Sequence, residues 1–92
     1  MKLEAIKDDI NLSIQNFNKI LSQEDFSAYH KIKDLLKKSI VYLDASNETE
    51  AKKQLALSIR FLMEAPPKDK SLGLKTLKDL DKTFKELSDL ID

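Results

Sequence analysis

Two successive prolines, Pro66 and Pro67, split a long apolar-periodic stretch that runs from Gln54 to Phe84. A proline removes a backbone donor and clashes with the preceding turn, and the residue before it avoids the helical region. A helix entering from Gln54 therefore stops before Pro66, and another begins beyond Pro67. On the near side, Leu55, Ile59, Leu62 and Met63 fall on one face of a 3.6-residue helix. On the far side, Leu74, Leu77, Phe84, Leu87 and Ile91 mark a seam, with Leu80 beside it. Asp69 or Ser71 is placed to cap the second helix by accepting a free first-turn amide. Gly73 lies near that start, where its helix penalty matters least. A joint of about six residues is typical of neighbours in a bundle, so the stretch reads as an antiparallel helical hairpin.

The preceding half carries the same pattern twice. Leu3, Ile6, Ile10, Ile14, Phe17 and Leu21 step by three or four, and Ile20 widens the stripe. Asp8, Asp9, Asn11, Asn16 and Asn18 lie mostly off that face. Ser22-Gln23-Glu24-Asp25 resembles a capping box in which Asp25 replaces the usual glutamate. The next helix carries Phe26, Tyr29, Ile32, Leu35, Leu36, Ile40 and Leu43. Asn47 followed by Glu50 is a second capping signature. The expected helices cover about 2–21, 23–44, 48–64 and 70–90. With short joints they predict an all-α, antiparallel four-helix bundle, one domain spanning residues 1–92. The rivals are a three-helix core with one helix docked across it, or a dimer sharing a seam.

Composition supports helices and narrows the function. One glycine and two prolines leave too little turn chemistry for a β fold. The absence of cysteine excludes disulfides and thiolate metal sites. Sixteen basic residues against sixteen acidic ones give no net charge, which argues against broad nucleic-acid binding. No apolar run is long enough to cross a membrane. The opening MKLEAIKDDI interrupts with acids what a signal peptide keeps apolar, so a cytoplasmic location is expected.

Catalytic and metal chemistry find little support. The only histidine, His30, lies between Tyr29 and Lys31 with no serine–base pair suggested, and reads as a surface or boundary residue. Glu4 with Asp8 and Glu86 with Asp89 lack the Glu-x-x-His partners of a di-iron bundle. Asp81 lies near the Leu77–Phe84 seam, at the border of a groove. No cofactor, metal or enzymatic activity is expected. Lys31, Lys33, Lys37 and Lys38 read as solvated charges spread over several directions, the alternative being a basic patch for an acidic partner. Tyr29 and Tyr42 read as boundary residues with their hydroxyls in water. Arg60, the sole arginine, has a planar head suited to recognition, although an ordinary surface position accounts for it equally. Phe61 lies off the main stripe and either widens the core or marks a contact patch.

The run LALSIRFLMEAPPKDKSLGLKTLKDLD resembles the second half of small all-helical immunity proteins that protect bacteria from NAD(P)-degrading type VI secretion effectors. Leu55, Leu57, Ser58, Ile59, Glu64, Asp69 and Leu77-Lys78-Asp79 carry the likeness, over about a third of the chain. The double proline is an addition to the family's pattern. The resemblance implies a stoichiometric inhibitor that docks on a cognate toxin as a heterodimer and blocks its active site or the substrate's access to it. Partner contacts are then expected around the joint of the third and fourth helices, at Arg60, Phe61, Glu64, Asp69 and Asp79. The alternative is a helical adaptor, or a structural bundle that self-associates as a homo-oligomer.

Overall fold

The four apolar stripes become four helices. In the computed structural model, which describes residues 2–91, α1 spans Lys2–Gln23, α2 Ser27–Asp44, α3 Glu48–Glu64 and α4 Lys70–Ile91. Each helix packs on its neighbours in sequence, and α1 closes the ring against α4; the diagonal pairs stay apart. Lys7 near the start of α1 meets Asp44 at the end of α2, 2.8 Å away. Tyr29 near the start of α2 meets Ala65 just beyond α3. Neighbours therefore run antiparallel, giving an all-α four-helix bundle rather than a three-helix core with an outlier. The long axis is 34 Å, about the length of 22 helical residues at ~1.5 Å each.

The core stacks Ile6, Ile10, Phe17 and Ile20 of α1 on Tyr29, Ile32, Leu36 and Leu43 of α2, with Leu55 and Leu62 of α3 and Leu80 and Leu87 of α4. Between these large side chains lie small ones: Ser39, Ser58, Thr76 and Thr83 are buried, and each hydroxyl donates to a carbonyl three or four residues earlier at 2.6–2.9 Å. Bonding back to their own helix satisfies these polar groups without a partner across the core.

Two helices sit rotated from the expected register. Along α4 the buried line is Gly73, Thr76, Leu80, Thr83 and Leu87. Leu77 and Phe84 pack at its edge, while Leu74 and Ile91 are exposed. A count of apolar residues alone misses the glycine and threonines that occupy the closest approach. Gly73 sets this rotation. A Cβ there would lie 2.9 Å from Cδ of Pro67, so only glycine lets the buried proline rest on the α4 backbone. Leu74, about 100° further round the helix, then points outward. On α3 the buried line is Ala51, Leu55, Ser58 and Leu62, which leaves Met63 64% exposed.

The joints differ in how they obey local rules. Ser22 does not cap α2: its hydroxyl turns back to the Lys19 carbonyl at 2.6 Å, and the Glu24 amide extends α1 by bonding Ile20 at 2.9 Å. Extended Phe26 precedes α2 with no side-chain cap and sets its half-exposed ring edge-on to Tyr29. At the next joint, the amides of Asn47 and Ser46 bond Tyr42 and Leu43, and Ser46 is left-handed with φ 59°. This is a Schellman ending with serine where glycine is usual. Asn47 then caps α3 by accepting the Glu50 amide at 3.4 Å, as its spacing predicts.

Candidate partner-binding groove

The joint between α3 and α4 is held by contacts from the neighbouring α1–α2 end and from the start of α4. The prolines deprive the last turn of α3 of the amides that a continuing helix would supply. The Ala65 carbonyl is instead taken by the Tyr29 hydroxyl at 2.8 Å. Tyr29 is therefore a core residue, 1% exposed, and not a boundary tyrosine with its hydroxyl in water. Burial, seconded by the charge of Glu24, raises its pKa above the usual tyrosine range. Glu24 itself accepts the Lys68 amide at 3.0 Å. Asp69 completes the loop, its carboxylate accepting the Leu72 amide at 3.1 Å and its carbonyl the Gly73 amide at 2.9 Å. Residues from the α1–α2 end thus hold the joint from outside, and Asp69 fixes the first turn of α4.

Held this way, the joint frames an apolar hollow of about 330 Å³. Pro67 and Gly73 form its floor, Met63, Pro66 and Leu74 its walls, and Lys70 stands at its rim. A second hollow of about 260 Å³ continues from it, sharing Met63 and Leu77 and edged by Lys78 and Asp81. Met63 is 64% and Leu74 55% exposed. Asp81 does border a groove, and its carboxylate is held by Lys85 at 3.1 Å.

The five residues singled out for partner contact do not converge. Arg60 and Glu64 pair with each other at 3.2 Å on the exposed face of α3. Phe61 packs against the core, with the Lys31 ammonium 5.2 Å from its ring centre, so it widens the core toward α2. Asp69 is occupied as the α4 cap. Asp79 faces α1, where it accepts Nδ2 of Asn16 at 3.2 Å. Asn16 is only 5% exposed, although its position off the apolar stripe predicts a solvated side chain.

The groove residues Met63, Pro66 and Leu74 were not among the expected contacts, because Met63 and Leu74 read as core. The available signal was the pairing of a double proline with the chain's only glycine six residues later. His30 lies exposed, Nε2 to Asp25 Oδ1 at 2.7 Å. Among the described residues no three His, Cys, Asp or Glu side chains are grouped to hold a metal ion, and no helix is long and apolar enough to cross a membrane. Comparisons with protein-family models, with curated proteins and with solved structures find no match.

Proposed function

We propose that this chain is an immunity protein, a stoichiometric inhibitor that binds a cognate interbacterial toxin and occludes it. The observation that carries this reading is the solvent-open apolar groove between α3 and α4, which lies inside the run that resembles immunity proteins of type VI secretion effectors. Its walls are held in place before any partner arrives, by Glu24, Tyr29 and Asp69. Pre-organisation of this kind lowers the ordering cost of association. Affinity in such an interface comes from a few buried anchors at its centre. Met63 and Leu74 are suited to that role, and the Arg60–Glu64 pair lies exposed on the same helix as Met63. Asp69 contributes by capping the first turn of α4, which carries Gly73 and Leu74. The protein would work in the bacterial cytoplasm, without cofactor or catalytic residue, as a heterodimer with the toxin.

A second reading, a helical adaptor, draws on the same groove, because a trough between two antiparallel helices also suits an amphipathic helix. Affinity capture of the tagged chain from its host, followed by mass spectrometry, separates the two. The immunity reading expects one stoichiometric partner, encoded beside this chain and toxic when expressed without it. Capture of a non-toxic partner would favour the adaptor, and recovery of the chain alone at a concentration-dependent mass would favour self-association.

A further inference from the structure

Among the described residues, the two lysines on the groove rim have no acidic partner. Lys75, Lys85 and Arg60 each have a carboxylate within 4.0 Å on their own helix. Among the described residues, no such partner lies beside Lys70 or Lys78, although both line the hollows. The acids nearby are committed elsewhere: Glu64 to Arg60, Asp69 to the α4 cap, Asp79 to Asn16 and Lys75, and Asp81 to Lys85. The groove therefore presents an apolar trough edged by uncompensated positive charge.

We infer that this groove takes a segment of another protein bearing large apolar side chains flanked by carboxylates, most simply an acidic amphipathic helix. The inference rests on reading the chain as a protein-binding module and adds the chemistry of what it binds. Two adjoining hollows that share Met63 and Leu77 suit two apolar side chains on one face of a helix, three or four residues apart. Carboxylates beside them would meet Lys70 and Lys78, attracting the partner from a distance and fixing its register. A second copy of this chain fits less well. Laid over the groove about a two-fold axis, it would set the rim lysines Lys70 and Lys78 against those of its partner. A membrane surface also offers apolar and anionic groups, but Pro67 and Gly73 are buried while Met63, Pro66 and Leu74 stand exposed around them, a shape that suits a single side chain better than a flat interface.

The test is a selection from a displayed library of helical peptides, run on the folded full-length chain. Enriched peptides should carry paired apolar residues at helical spacing with Asp or Glu beside them. Their amide-shift footprint should centre on Met63, Gly73, Leu74 and Leu77. Affinity should fall at least about tenfold in the Lys70→Glu/Lys78→Glu double variant and with added salt. Leu74→Ser should also lose binding, whereas Lys38→Glu, on α2, should keep it. These positions are exposed, so unchanged melting confirms that each variant folds. The inference is overturned if nothing enriches, if the peptides lack acids or bind elsewhere, or if the groove variants bind as tightly as the parent. Dimerisation through the groove, or equal binding to phosphatidylserine vesicles, would also overturn it. None of those results bears on capture of a toxin from the host, which decides the immunity reading separately.

Discussion

Helix α4 makes two seams of opposite character. Against α1 it carries polar contacts: Asn16 is buried to reach Asp79, and Thr83, one turn on, is buried and bonds back to the Asp79 carbonyl, beside a smaller hollow of about 150 Å³. Against α3, near the double proline, the lining is apolar and yet open, with Met63 and Leu74 largely in water. Folding free energy alone favours the reverse, because burying apolar area stabilises and burying an amide does so only if every hydrogen bond is made. The apolar seam is left open because Pro67 rests on Gly73 and turns Leu74 outward. This open apolar lining is the feature on which the proposed partner surface rests.

Substitutions can break this contrast, and the largest effect belongs to the core line both seams share. Leu80→Ala should lower stability by about 3 kcal/mol, read from denaturant midpoints, because it opens a cavity at a fully buried site. Gly73→Val should cost about 2 kcal/mol by driving Pro67 away. It should also disturb the groove, moving the amide resonances of Met63 and Lys68 while those near Asn16 stay put.

On the polar seam, Asn16→Ala should cost about 1–2 kcal/mol in thermal unfolding, since it removes a part-buried hydrogen bond to a carboxylate. Tyr29→Phe should cost about 1 kcal/mol by stranding the Ala65 carbonyl. It also has a pH signature. The folded protein holds the Tyr29 phenol neutral, with a pKa above its unfolded value of about 10. The stability this contributes is complete below about pH 10 and is lost as pH rises through the folded value. The advantage of wild type over Tyr29→Phe in urea melts should therefore shrink in strongly alkaline buffer and hold constant from neutrality to pH 9.

The smallest effect on folding is expected at the open seam. Met63→Ser/Leu74→Ser should shift stability by less than about 0.5 kcal/mol, because both side chains already face water. A large loss there would mean the hollow is part of the core.

The sequence and the structure part company along the same lines. Helix number, both ends of α3 and the Asn47 and Asp69 caps follow from rules that act within a few residues. Ser22 shows where such rules fail. Its motif permits a cap, but Leu21 packs against the core and carries α1 onward, so the hydroxyl bonds backward instead. The orientation of α4 was out of reach because it depends on a contact between Pro67 and the backbone at Gly73, and periodicity counts only apolar side chains. The Asn16–Asp79 bond spans 63 residues, and neither residue type announces burial. The residues expected to meet a partner and the apolar groove therefore share the α3–α4 joint but are different side chains. Charge and rarity drew attention to Arg60 and Asp79, whereas the groove is made by Met63 and Leu74, which look like core until the helices are oriented.

The most direct measurement is affinity capture from host cells with the wild-type chain and Leu74→Asp side by side, with thermal melts of both. A toxin held one-to-one by wild type and lost by the variant, at similar melting temperatures, is the predicted result. A partner retained equally by both, or no partner for either, would contradict the assignment of the α3–α4 groove as the inhibitory surface.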